Sequence, residues 1–256
     1  MKKPLISVIT ISLNAEKYIE QTIQSVLNQT YKNIEHIIID GGSTDKTVQI
    51  INKYRDRIDH FISEKDEGIA DAMNKGVALA KGDYVIFIHA DDYFKNDSSL
   101  EDALEYLDGT VDILACDIQY GKDLKVIKPR GFNFWFNFKT GVLHQGVICR
   151  KSLIRELNGF DKIFKITMDF DFFLRSYRLH AKLVKAPVIL SVMRNTGISS
   201  RQDWASLKGR FDEEKKVHEK NCPSRYMMFL YNIYWPLYLP YRFLLNIIRE
   251  LHNRNL

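Results

Sequence analysis

Two adjacent carboxylates, Asp91 and Asp92, end the uncharged run YVIFIHA that spans Tyr84 to Ala90. Neighbouring acids repel each other and lose hydration unless something neutralises them, and a divalent cation is the usual partner. Such a cation would grip a diphosphate both in a bound substrate and in a departing group. The competing reading is a loop in which one acid caps the next helix. Two further acids follow apolar runs in the same way, Asp40 after Ile34–Ile39 and Asp66 after Ile58–Ile62. An acid at the first of these places can accept a hydrogen bond from a nucleobase N–H or a ribose hydroxyl. Singly these are ordinary loop residues; their arrangement is the signal.

Elements must hold those acids in register. The runs Leu5–Leu13, Ile34–Ile39, Ile58–Ile62 and Tyr84–Ile88 read as buried strands. Between them Ile19, Ile23, Val26 and Leu27, then Val48, Ile51 and Tyr54, then Gly68–Ala80 carry helical spacing or composition. Strand and helix in alternation give an α/β class, doubly wound sheet, where ligands bind beyond the carboxyl ends of the strands. Asp40, Asp66 and the His89–Asp92 stretch all fall on that edge.

The second half reads differently. Ser98 with Glu101 forms a capping-box pattern ahead of a fourth helix. Val111–Tyr120 and Lys125–Lys128 flank Gly121-Lys122-Asp123 and predict an antiparallel hairpin. The segment FNFWFNF, 132–138, either covers a site or packs a core. Leu143–Arg150, which carries His144 and Gln145, reads as a strand. Asp169 opens a helix with Phe170, Phe173, Leu174 and Tyr177 inward, and Asp171 pairs with Arg175 at i, i+4. Leu183–Met193, interrupted by Pro187, reads as a closing strand pair. Arg194 lies in the loop before Asn195-Thr196-Gly197, from which it could reach a diphosphate on closure.

Composition bounds the alternatives. The chain has 256 residues, 45% apolar and 27% charged, enough for one large α/β domain or one domain with an appendage. A net charge of +5, without any nucleic-acid-binding signature, gives no reason to expect nucleic acid as a partner. Cys116, Cys149 and Cys222 are odd in number and far apart, which suits a reducing compartment. The amino terminus reads as a strand rather than a signal peptide, so the expected location is cytoplasmic. There is no P-loop and no glycine-rich dinucleotide turn.

From Tyr226 to Tyr241 no residue is charged, and Tyr, Trp, Leu and Met dominate between Arg225 and Arg242. Spanning a bilayer takes about 20 apolar residues, and Pro236 and Pro240 interrupt this run. Aromatic residues beside arginines suit a membrane interface. The 226–248 segment is therefore expected to lie on the inner face of the cell membrane, against the alternatives of docking on the main domain or forming an oligomer contact.

The strings ISVITISLNAEKYIEQTIQSVLNQTYKNIEHIIIDGGSTD, ISEKDEGIADAMNKG, GDYVIFIHADD, LHQGVICRKSLI and MDFDFFLR, with the GF-D turn at Gly159–Asp161, resemble the family-2 glycosyltransferases of bacterial polysaccharide synthesis. The likeness runs over residues 5 to 200. It implies a GT-A fold, with a doubly wound, mostly parallel sheet, a small antiparallel portion and a C-terminal helical segment. Residues 1–200 would form the catalytic domain, with the nucleotide-sugar half at 1–92 and the acceptor half at 93–200, and 201–256 the helical segment. It also implies an inverting transfer from a nucleotide-diphosphate sugar, a UDP-sugar by expectation, to a lipid-linked or saccharide acceptor.

Carried over by position, Ile11, Leu13 and Asp40 would contact the nucleobase, and Asp66 and Asn74 the nucleoside side of the pocket. His89-Ala90-Asp91 stands where the family has its DxD motif, so Asp91, with Asp92 beside it, would hold Mn2+ or Mg2+. Asp169 would be the general base, and His144 and Gln145 would lie near donor or acceptor. The chain departs from the family pattern at His89, Leu13 and Met73, where an acid or amide, an aromatic and an arginine are usual. His89 keeps open a binding subunit without turnover, and a sugar nucleotidyltransferase is the rival enzyme.

Overall fold

β1 (Ile6–Ser12) is buried at every residue, and β2 (Ile34–Asp40), β3 (His60–Ser63) and β4 (Tyr84–Phe87) run parallel to it in the order β3-β2-β1-β4. β1 and β2 are mostly apolar because both faces are covered, and the polar residues inside them are buried and paired, Ser7 with Glu35 and Thr10 with His36. The computed structural model describes residues 3–197, 200–201 and 203–254, with side chains as far as 248. Alternate residues of β4 face different apolar layers. Ile86 lies in the layer of Ile6, Val8 and Leu100, while Val85 and Phe87 share a pocket with Phe160, Phe172 and the His144 ring.

Helices α1 (Ile19–Leu27), α2 (Thr47–Asn52) and α3 (Ile69–Leu79) connect the parallel strands. A Cβ on Gly76 of α3 would stand 2.5 Å from Ile9 Cγ2, so this glycine lets the helix lie close on β1. The doubly wound α/β sheet expected from the sequence is present. Beyond β4 it continues as β8-β6-β9-β5, with β7 beside β6. These are β5 (Tyr93–Phe94), β6 (Ile113–Tyr120), β7 (Lys125–Ile127), β8 (Val147–Arg150) and β9 (Leu183–Met193). β6 and β7 form the predicted hairpin. Helices α4 (Ser99–Leu104), α5 (Lys151–Glu156) and α6 (Met168–Arg178) complete this part.

Four local expectations are corrected. The capping box does not form: Ser98 has helical φ and ψ and makes no cap bond, its hydroxyl going to Asp102 and the Glu101 carboxylate to Thr30. His144 and Gln145 lie in a 3-10 turn, His144–Gly146, ahead of β8 rather than on a strand. A Cβ on Gly146 would meet the Cys116 carbonyl at 2.7 Å, so the chain crosses β6 too closely there for a regular strand. Leu183–Met193 is one strand, not a pair. Pro187 sits at the shift in register where Cys116 pairs with Ala186 and Asp117 with Ile189, a bulge that absorbs its missing N–H. The apolar C-terminal stretch is likewise unbroken.

The contacts divide the chain into two compact units, Met1–Asn195 and Thr196–Leu256. The second contains α7 (Trp204–Lys220) and the 30-residue α8 (Arg225–Arg254), which continues through Pro236 and Pro240. Within it, Trp235 Nε1 donates to His218 Nδ1 across the helix pair at 3.1 Å. Among the described residues no helix is long and apolar enough to cross a membrane. Tyr226, Phe229, Ile233, Leu237, Tyr241, Leu244 and Ile248 form an exposed stripe at helical spacing along α8.

Candidate active site

The loop after β4 is held on three sides. Its backbone first continues the pairing with β1, Ile88 N–H donating to the Ile9 carbonyl and Ala90 N–H to that of Ile11, both at 3.1 Å. The Thr22 hydroxyl, from α1, stands 2.9 Å from the Ala90 carbonyl and 2.6 Å from that of Asp92. Just after β9, Arg194 N–H donates to Asp92 Oδ1 at 3.0 Å. The Arg194 guanidinium also donates to the Asp91 carbonyl and to Gln21 Oε1, and lies between the Tyr18 and Tyr93 rings at 4.5 and 4.7 Å. The residue expected in a closing loop is thus used to fasten the acid loop.

The two acids differ. Asp91 is half-buried. Asp92 is 2% exposed, and burial together with the adjacent Asp91 pushes its carboxyl well above the usual range. Among the described residues, no cluster of three or more His, Cys, Asp or Glu side chains gathers to hold a metal. An outward carboxylate backed by a second acid nevertheless fits a hard cation that takes its remaining ligands from substrate phosphate and water. Asp91, with Asp92 behind it, is where the chain would hold one.

The turn before β8 joins that loop to α6. The Gln145 side chain lies near Asp92, and the neighbouring His144 reaches two other groups. His144 Nδ1 lies 3.1 Å from Asp169 Oδ2, and His144 Nε2 lies 2.9 Å from His89 Nε2. Asp169 stands in the first turn of α6, where Phe170 N–H donates to its Oδ1 at 2.8 Å. Burial and the neighbouring His144 push the His89 imidazole well below its usual range, so it is neutral at neutral pH. Asp171 makes the expected pair with Arg175 at 2.7 Å, and that guanidinium also donates to Gly159 O.

At the end of β2, Asp40 is fully buried and accepts from the Ser12 and Ser63 hydroxyls, from Gly42 N–H, and from both the hydroxyl and the N–H of Ser43. Five donors fill the lone pairs of one carboxylate. It ties three strand ends together. Asp66 lies against Gly41, so close that a Cβ there would stand 2.5 Å from Asp66 Oδ2, and its Oδ1 accepts from Gly68 N–H. Asn74 exchanges two hydrogen bonds with the Phe160 backbone, at 2.7 and 2.9 Å. The structure gives that amide the task of fixing the GF-D turn. Ile11 is buried, Met73 lies in the core, and Leu13 projects with 58% of its surface exposed.

The sequence reading missed Thr22 and the serines around Asp40. For Thr22 a signal existed: it sits on the apolar face of α1 with Ile19, Ile23 and Val26 and is completely buried. A hydroxyl in that position needs an acceptor from another element.

The family model for glycosyl transferase family 2 matches residues 7–179. The chain belongs to glycosyl transferase family 2. An uncharacterized glycosyltransferase of Mycobacterium tuberculosis is 33% identical over 229 residues, 85% of either chain. The Bacillus subtilis glycosyltransferase TuaG is 45% identical over 108 residues, 41% of this glycosyl transferase and 42% of TuaG. Among solved structures, S. aureus TarS 1–349 superposes with a TM-score of 0.67 at 22% identity, over 84% of this chain and 64% of that one. The mannosyltransferase PcManGT of Pyrobaculum calidifontis does so with a TM-score of 0.70 at 17% identity, over 97% and 74%. At these identities the likeness concerns the fold, which is the GT-A fold expected for a family 2 glycosyl transferase.

Proposed function

We propose that this glycosyltransferase moves a sugar from a nucleotide-diphosphate donor, a UDP-sugar, onto a lipid-linked or saccharide acceptor with inversion, in the synthesis of a cell-surface polysaccharide. The observation that carries the reading is the convergence on one side chain: His144 faces Asp169 at 3.1 Å and His89, of the acid loop, at 2.9 Å. A base carboxylate and an acid loop are thereby fixed beside each other at the carboxyl end of the sheet. In a single displacement the acceptor hydroxyl attacks the anomeric carbon, Asp169 takes its proton, and the nucleoside diphosphate departs. Mn2+ or Mg2+ at Asp91 and Asp92 would offset the charge of that diphosphate. TarS structures in complex with UDP and UDP-GlcNAc, and PcManGT with GDP-Man and Mn2+, support such a donor and cation. Relatives named for teichuronic acid and PGL/p-HBAD biosynthesis support the acceptor class.

A panel of nucleotide sugars with Mn2+ or Mg2+ tests the reading. The correct donor at about one hundred times its Kd should stabilise the folded chain by ~2.7 kcal/mol, read as a rise in melting temperature. If no donor in the panel shifts the melting with either metal, the reading fails.

The exposed stripe on α8 supports attachment to the cytoplasmic membrane face, because a one-sided apolar helix lies in the interface plane. The full chain is expected to float with anionic phospholipid vesicles, and a Phe229→Ser, Leu237→Ser double variant to stay largely in the soluble fraction. Equal flotation of both, or of neither, would remove the membrane from this reading.

A further inference from the structure

His89 after β4, His144 in the turn before β8 and Asp169 at the start of α6 form a row from three elements. Two imidazole nitrogens 2.9 Å apart, Nε2 of His89 and Nε2 of His144, hold one hydrogen between them. At the other end His144 Nδ1 faces Asp169 Oδ2 at 3.1 Å. An ionised carboxylate only accepts, so the hydrogen there belongs to His144 Nδ1. In the tautomer with that hydrogen alone on His144, its Nε2 accepts and His89 Nε2 donates, so the row runs from His89 through His144 to Asp169. Its terminus is the bare Nδ1 of His89, buried with no hydrogen-bond partner.

We propose that His144 is the positioning residue for the base, and that His89 serves this row rather than the cation, by fixing the tautomer in which His144 turns its N–H toward Asp169. The proposal rests on Asp169 as base. With Phe170 N–H on Oδ1 and His144 on Oδ2, the carboxylate is held at both oxygens and its remaining lone pairs point in set directions. Orientation of this kind is a large part of what a base contributes. It also gives a reason for a histidine at a position where the family pattern has an acid or an amide. The loop that carries Asp91 sends one side chain, His89, to the acceptor side of the reaction.

Paired substitutions in the full chain test the row. His144→Asn keeps an N–H near the place of Nδ1, whereas His144→Phe removes both nitrogens and keeps a ring. His89→Gln keeps a donor near the place of Nε2, whereas His89→Leu removes it. At saturating acceptor, His144→Phe should lower kcat roughly 10²-fold and His89→Leu roughly tenfold, with donor KM within about twofold. His144→Asn and His89→Gln should each recover kcat to within about fivefold of the parent.

A purely structural role would not separate the members of each pair. Equal kcat in His144→Phe and the parent overturns the proposal, and so do equally slow His144→Asn and His144→Phe. A rise in donor KM of roughly tenfold or more in His89→Leu, with kcat kept, also overturns it, since His89 would then belong to the donor. If an apolar variant fails to fold, the conservative one decides, and a folded His144→Asn slowed by more than about 10²-fold is fatal. Asp169→Asn separates the two levels: transfer within about tenfold of the parent in that variant removes the base reading itself, whereas an Asp169→Asn slowed roughly 10³-fold with failed histidine pairs removes only the row.

Discussion

Asp169→Asn should bind the donor as the parent does and transfer sugar roughly 10³-fold more slowly, about 4 kcal/mol of lost transition-state stabilisation. The substitution is almost isosteric, so the fold and the donor pocket have no reason to change. What changes is that one end of the side chain becomes an NH2 group. Both oxygens of Asp169 face donors, Phe170 N–H and His144 Nδ1. An asparagine can satisfy one of them and must present hydrogen to the other. It also has no basicity to accept the acceptor's proton. The measurement is single-turnover transfer at saturating donor beside donor binding by calorimetry. Transfer within about tenfold of the parent would show that another group takes the proton.

Asp91→Asn should abolish the metal-dependent part of donor binding and, with it, measurable transfer. The loop should survive the change, because Arg194 grips the main-chain carbonyl of Asp91 and Thr22 grips those of its neighbours. Losing one carboxylate removes a charge that a cation shared with diphosphate depends on. In a melting experiment the parent should gain up to ~2.7 kcal/mol from donor with Mn2+ at about one hundred times its Kd. Asp91→Asn should show the same small donor shift with and without Mn2+. A Mn2+-dependent shift of parental size in the variant would place the cation elsewhere.

Most of the parallel half was legible because its strands are rich in β-branched residues and are followed closely by polar ones. Asp40, Asp66 and the acid pair were found from that pattern alone. What periodicity could not convey was the use of each polar group after folding. The carboxylate of Asp40 looks identical in sequence whether it faces a ligand or, as here, five donors from its own and neighbouring loops. The same holds for Asn74, whose partner Phe160 is distant in sequence. Arg194 read as loose because three residues that hold it, Tyr18, Gln21 and Asp91, come from segments far upstream. His144 read as a strand residue because a 3-10 turn of three residues leaves no period to detect.

The loop after β1 separates support from presentation. Its backbone is stitched to the loop after β2: Asn14 N–H donates to Ser43 Oγ, Thr44 N–H to Asn14 Oδ1, and Lys46 N–H to Glu16 Oε2. Leu13 takes no side-chain part in this and stands outside it, 58% exposed. A scaffold that costs nothing to keep while its outermost side chain is exchanged is an adaptable one. Residue 13 is a place that single substitutions can change without a stability debt, since surface changes away from such bonds stay within about ±0.5 kcal/mol. This edge of the sheet is rigid in backbone and open to selection in chemistry.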